Sequence, residues 1–274
     1  MTSGYVNLGD GKLYYEMKGK GEAIVLCHAG FVDSRMWDGQ WEDFSQHYRV
    51  LRFDMRGFGK SDPAITPVSR RQDLYNLLHE LGIEKAHVLG CSMSGEIAID
   101  FTLEHPEMVS SLIIVSGTPG GFEMQGEPPS QLIEMLQALE QGDLERVSEL
   151  QVQLWVDGIY RQPEQVDTRV RKIAAEMNRI AVENKTWARA DANPLNPLNP
   201  PAVERLAEIE VPVLVLAGSL DHPEVLRAAD VLEKEIRNAK KVILEDSAHV
   251  PNMEKPAEFN RIVLDFLSES CSIR

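Results

Sequence analysis

Residues His87–Asp100 read HVLGCSMSGEIAID, and this stretch decides the fold. Its first half is an apolar run suited to a buried strand, and its second half, continued to Phe101, spaces Ile97, Ala98 and Phe101 as one face of a helix would. Ser92 sits at the junction, with small Gly90 and Ser94 two residues to either side. A turn sharp enough to send a strand straight into a helix strains its central residue and crowds its neighbours, so both flanks must be small. Such a turn lifts the central hydroxyl above the carboxyl edge of the sheet, where the first N–H groups of the helix point. The plainer reading makes Ser92 an N-cap. The rest of the chain separates the two.

Outward from this junction, short β-rich runs alternate with helical patterns, the signature of a sheet covered on both faces. YVNLGDGKLYYEMKG reads as a hairpin, Gly4–Leu8 and Lys12–Lys18 turned by Gly9, Asp10 and Gly11. Further strands are expected over Ala23–Ala29, Tyr48–Asp54, Ala86–Cys91, Ser111–Gly117, Val211–Gly218 and Lys240–Glu245. Between them lie helical patterns over Arg35–Gln46, Ser69–Leu81, Ser92–Glu104, Glu224–Arg237 and Pro256–Leu267. From Thr118 to Pro201 the alternation stops, and three helices are expected instead, over Ser130–Gln141, Leu144–Tyr160 and Pro163–Ala190. NPLNPLNPP, Asn193–Pro201, cannot continue a helix and reads as a stiff, extended connector. The expectation is an α/β fold: a mostly parallel eight-stranded sheet with helices on both faces. Residues 1–117 and 202–274 form its core, and a helical cap, 118–201, is inserted after the sixth strand.

A serine hydroxyl needs a base to become a nucleophile, and the base needs an orienting acid. His249 in LEDSAHVPNMEKP follows the last strand, and Asp221 in VLAGSLDHPEV follows the strand before it. Both emerge at the sheet edge expected for Ser92, where open α/β sheets place their sites. Glu245 and Asp246 are alternative acids on the approach to His249, though Asp221 is better placed. Attack on a carbonyl also requires donors for the oxyanion. The backbone N–H of Met93 is one, and Gly30, in the loop after AIVLCHA, is the second. Phe31, Trp155, Trp187 and Val250 are candidates for a substrate pocket, and Arg161, Arg179 and Arg189 are possible partners for a substrate carboxylate.

LCHAGFVDSRMWDGQ, YRVLRFDMRGFGKSD, LGCSMSG, AGSLDHP and DSAHVPNMEKP together resemble the α/β-hydrolase superfamily, in its branch of capped esterases, lactonases and carbon–carbon bond hydrolases. The resemblance covers Gly4–Gly117 and Val211–Leu267, and the cap is matched by position alone. It implies Ser92 as nucleophile, His249 as base and Asp221 as acid, with an acyl-enzyme and neither metal nor organic cofactor. It also implies a structural turn at Asp54, Arg56, Gly57, Gly59 and Ser61, and a bracing histidine at His28. The chain departs from the family where Ala29 and Ser94 stand in place of glycine.

With 274 residues, 43% hydrophobic and 26% charged, the composition is that of an ordinary globular protein. A formal charge of −15 repels phosphate backbones and anionic lipid, so neither nucleic acid nor a membrane is the expected partner. Cys27, Cys91 and Cys271 lack metal-ligand spacing and read as free thiols in a reducing compartment. The N-terminus resembles no secretion signal, so a cytoplasmic location is expected. A small ester or lactone is the expected substrate, and monomer or dimer remains open. A carbon–carbon hydrolase and a slow-turnover ligand receptor are the rival readings.

Overall fold

Consecutive apolar residues bury β3 (Ala23–Cys27) and β5 (Ala86–Cys91) along their whole length, as strands covered on both faces require. The computed structural model describes residues 1–271, with side chains through 270, and the thiol of Cys271 lies outside the described residues. The other strands are β1 (Thr2–Asn7), β2 (Lys12–Lys18), β4 (Arg49–Phe53), β6 (Val109–Val115), β7 (Val213–Gly218) and β8 (Ala239–Leu244). They form one sheet in the order β1-β2-β4-β3-β5-β6-β7-β8. β2 runs antiparallel to both β1 and β4, and every later pairing is parallel. The carboxyl ends of β3, β5, β7 and β8 therefore share one edge.

Successive residues of a strand face opposite sides, and the two sides build two cores. Val25, Cys27 and Val88 pack with α2 (Arg70–Glu80), α3 (Met93–Glu104) and α7 (Pro223–Glu235) through Leu74, Leu77, Ala98, Phe101 and Leu232. Ile24, Leu26, Leu89 and Cys91 pack with α1 (Asp38–Ser45) and α9 (Pro256–Cys271) through Phe44, Phe259 and Phe266. The short α8 (Pro251–Glu254) leads into α9.

β3 ends two residues short of the run expected from the sequence, because His28 turns out of the sheet. Its Nε2 accepts the Met55 N–H at 3.0 Å and its Nδ1 donates to the Ala29 carbonyl at 2.9 Å. Burial holds the pKa of this ring below the usual histidine range, against the pull of Asp54, so it braces the loop as a neutral group.

Between β6 and β7 lie α4 (Ser130–Gln141), α5 (Leu144–Val152) and α6 (Thr168–Glu183). The helix expected over Leu144–Tyr160 gives way to a π turn at Gln153–Asp157 and stops at Gly158, φ +74°. The one expected over Pro163–Ala190 is divided. Asp167 caps α6 by accepting the Arg169 N–H at 2.7 Å, and α6 closes before Lys185, φ +52°. On either side of the break, Asn184 and Thr186 both donate to the Gly57 carbonyl, at 3.0 and 2.8 Å, and draw the chain onto the core. The segment 193–201 is bent rather than extended: Asn196 has φ +54°, and its carbonyl accepts from Arg71 at 3.0 Å. Among the described residues no helix is long and apolar enough to cross a membrane.

Candidate active site

Ser92 joins β5 to α3 at φ +56°, ψ −121°. A non-glycine residue held there costs about 1–3 kcal/mol, so the surroundings must enforce it. Its N–H donates to Val115 O at 2.8 Å, and its carbonyl accepts the Gly95 N–H at 2.8 Å. A Cβ at position 90 would lie 2.0 Å from the Ser94 carbonyl, so the turn closes only around a glycine. Ser94 is fully buried and donates its hydroxyl to the His28 carbonyl at 2.5 Å. The serine that replaces glycine thus ties α3 to the loop after β3, and its hydroxyl is out of reach of any substrate.

The loops after β7 and β8 meet beside this turn. Ser219 N–H donates to Leu244 O and Leu220 N–H to Ser247 O, each at 2.9 Å, which sets the two loops side by side. Asp221 and His249 come from these loops and are 2% and 3% exposed. The Nδ1–H of His249 faces both carboxylate oxygens of Asp221, at 2.9 and 3.0 Å, and Nε2 faces Ser92 Oγ at 2.7 Å. Because a carboxylate only accepts, this contact fixes the proton on Nδ1 and leaves Nε2 free to take one from Ser92. Glu245 and Asp246 are both exposed, and the two Nδ1 contacts go to Asp221. Buried Cys91 directs its thiol to the His249 carbonyl at 3.8 Å, and burial raises the thiol's pKa, so the group is inert packing.

Met93 opens α3, where an N–H has no acceptor within the helix. Gly30 lies against it: a Cβ at position 30 would sit 3.1 Å from Met93 Sδ and 3.2 Å from its Cβ. The two expected oxyanion donors therefore belong to residues that pack against each other, Met93 beside Ser92 and Gly30 bordering a neighbouring cavity. Asn178 of α6 braces this loop, donating at 2.8 Å to the carbonyl of Phe31.

The sequence pattern of the α/β hydrolase fold matches residues 22–256. The chain belongs to this family. A 2-hydroxy-6-oxononadienedioate/2-hydroxy-6-oxononatrienedioate hydrolase of Paraburkholderia phymatum is 30% identical, with 98% of this chain and 96% of the relative aligned. Est816, a solved structure described as an N-acyl homoserine lactone degrading enzyme, is 25% identical with a TM-score of 0.73, covering 96% of this chain and all of its own. The enol-lactonase of Burkholderia xenovorans LB400 shares the fold at a TM-score of 0.78 and 24% identity, covering 97% of this chain and 100% of its own.

In this hydrolase, Ser92 and His249 open into a pocket of about 210 Å³ that is partly open to solvent. Met93, Glu96, Leu132, Leu154, Trp155 and Val225 supply much of its wall. Of the four pocket candidates only Trp155 lines it, with its ring 4.6 Å from that of His249. Phe31 is buried behind Trp155 at 6.5 Å between rings, and Val250 is buried ahead of α8. Trp187 is 53% exposed and borders a neighbouring cavity that reaches Gly30. The three candidate arginines do not line it either. Arg179 is paired with Glu183 at 2.7 Å on the surface, and Arg189 is exposed. Arg161 donates to Glu254 at 2.6 Å and to the carbonyls of Asp157 and Val156 at 2.8 Å.

That last contact forms a brace the sequence did not signal. The other oxygen of Glu254 accepts the Ala248 N–H at 2.7 Å, next to His249. The segment from Trp155 to Arg161 is thereby fastened to the loop that carries the imidazole. Arg161 and Glu254 are 93 residues apart, a pairing that no local spacing announces.

Proposed function

We propose that this hydrolase is a serine enzyme cleaving a small, uncharged carboxylic ester or lactone through an acyl-enzyme. The observation that carries the reading is the continuous line from Ser92 Oγ through His249 to Asp221, at 2.7 and 2.9 Å. Ser92 Oγ attacks the carbonyl carbon while its proton passes to Nε2. The oxyanion accepts from the N–H groups of Met93 and Gly30, and Asp221 stabilises the imidazolium. His249 then returns the proton to the departing alkoxide oxygen. A water, deprotonated by the same nitrogen, adds to the acyl carbon and frees Ser92 and the acid. Residues 118–201 act as the cap: Met124, Pro129, Leu132, Leu154 and Trp155 close the pocket on that side. No step calls for a metal or organic cofactor.

Lactone turnover agrees with the name of Est816. A carbon–carbon hydrolase is the second reading, favoured by the names of the dioate hydrolases at about 30% identity. A dioate carries two carboxylates, whereas among the described residues no lysine or arginine lines the pocket at Ser92, and Arg161 and Arg179 are engaged elsewhere. This favours the uncharged substrate. The test is a side-by-side assay of a short nitrophenyl ester, a lactone and a vinylogous diketone acid, with Ser92→Ala as control. Ester or lactone turnover that disappears in the variant supports the proposal. Turnover of the diketone acid alone transfers it to the second reading, and tight ligand binding without turnover makes the protein a receptor.

A further inference from the structure

We propose that Asn178, on α6, is a positioning residue: by holding the carbonyl of Phe31 it sets where the Gly30 N–H stands to receive the oxyanion. This rests on the serine hydrolase reading and adds to it the part of the insertion that shapes the oxyanion site. The N–H groups of Gly30 and Met93 have no hydrogen-bond partner among the described residues. Open backbone donors inside a fold are rare, and these two are the ones the reaction needs. The loop that carries Gly30 is pinned at its entry, where the carbonyls of His28 and Ala29 accept from Ser94 at 2.5 Å and from the His28 ring at 2.9 Å. It is pinned at its exit by Asp33, which accepts the Arg35 N–H at 3.0 Å. Between these anchors the loop's own bond, from the Val32 N–H to the Ala29 carbonyl, is long at 3.3 Å. Among the described residues the one hydrogen bond to Gly30 or Phe31 comes from Asn178, at 2.8 Å.

The amide that does this is itself held in place. Asn178 is fully buried, and its Nδ2 also donates to Gln151 Oε1 at 2.6 Å, while Gln151 Nε2 points to Met135 Sδ at 3.5 Å. Met135 belongs to α4, Gln151 to α5 and Asn178 to α6, so three helices of the insertion converge on one carbonyl of the loop. The arrangement has a cost, because Asn178 Oδ1 is buried without a partner. An orphaned buried acceptor offsets about what a pair of neutral hydrogen bonds returns, so the amide adds little net stability, and what it contributes is a fixed position for Phe31 and the Gly30 N–H beside it. Position matters here: a misplacement of about 1 Å removes most of what an oxyanion donor supplies.

The experiment measures kcat and KM for a short nitrophenyl ester, and the affinities of a trifluoromethyl ketone and its matching secondary alcohol, in the wild type, Asn178→Leu and Gln151→Leu, with thermal melting to check the fold. Ser92 Oγ adds to the ketone carbon, its proton passes to His249 Nε2, and the former carbonyl oxygen becomes an oxyanion in the place the ester's would occupy; the alcohol forms none. Asn178→Leu should lower kcat about 30-fold with KM within about twofold, short of the roughly 100-fold or more that follows outright loss of a donor. The ketone should weaken by the same factor and the alcohol should bind as before. Gln151→Leu, which frees the Asn178 amide but leaves it in place, should lower kcat and ketone affinity together by about threefold. Gln151 is only half-buried, so this variant decides the question if Asn178→Leu does not fold. Unaltered kcat and ketone affinity in a folded variant, a change in KM alone, or equal weakening of ketone and alcohol overturns the proposal. Failure of the underlying reading looks different: the wild type would then neither hydrolyse the ester nor bind the ketone more tightly than the alcohol.

Discussion

Ser92 and His249 meet at 2.7 Å, yet the two are held by different physics. The turn at Ser92 is set by main chain: two strands, a helix start and a glycine whose absent side chain makes room for the Ser94 carbonyl. The loop at His249 adds side chains to its backbone bonds, through Glu254 and an arginine reaching in from the segment between β6 and β7. Gly158 of that segment packs so closely that an added methyl would sit 3.0 Å from both Ala248 Cβ and Leu220 O. The difference teaches that the turn at Ser92 is held by the sheet and α3, whereas the loop at His249 is held in addition by the helical insertion. An insertion built this way does more than line a pocket, because it holds the loop that carries His249.

This contrast can be broken from either side. Gly90→Ala should have the largest effect, since the new Cβ collides with backbone that cannot move without dismantling the turn; a loss of at least about 3 kcal/mol is expected in thermal or denaturant unfolding. Unchanged stability would show that the turn has more room than its geometry implies. Next comes Glu254→Gln, which leaves the Arg161 guanidinium without its charged partner; both side chains are largely buried, at 11% and 6% exposure, so about 3 kcal/mol should be lost. The Ala248 N–H can still find the amide oxygen, so folding should survive at reduced midpoint.

Arg161→Met sharpens the comparison because it touches the base side without touching substrate. The expected result is a roughly tenfold fall in kcat with KM little changed, about the cost of losing 1.4 kcal/mol of transition-state stabilisation. Arg161→Lys, which keeps charge but cannot reach the carbonyls of Asp157 and Val156 together with Glu254, should fall between. A change confined to KM would place Arg161 in substrate binding after all. Smallest is Ser94→Gly, which restores the residue usual in the family and deletes the hydrogen bond to His28 O; about 1 kcal/mol of stability and a few-fold loss in acylation rate are expected.

How much of this was legible in sequence follows the same division. Features fixed by main-chain sterics and burial leave local marks, so the strand runs, the turn at Ser92 and the strand-end positions of Asp221 and His249 could all be read from neighbouring residues. Features fixed by long-range side-chain contacts leave none. Arg161 looked like a substrate ligand because a basic residue in an insertion has no visible partner until Glu254 is folded against it. The long helix expected over Pro163–Ala190 failed because its apolar spacing continues through Lys185, while the break is imposed by bonds from Asn184 and Thr186 to Gly57.

Peptide mass mapping after reaction with a fluorophosphonate examines the reactivity of the oxygen at position 92 without presuming any substrate. The account predicts a single phosphonylated peptide containing that serine and none after its replacement by alanine. Modification elsewhere, or an unreacted yet properly folded protein, would contradict it.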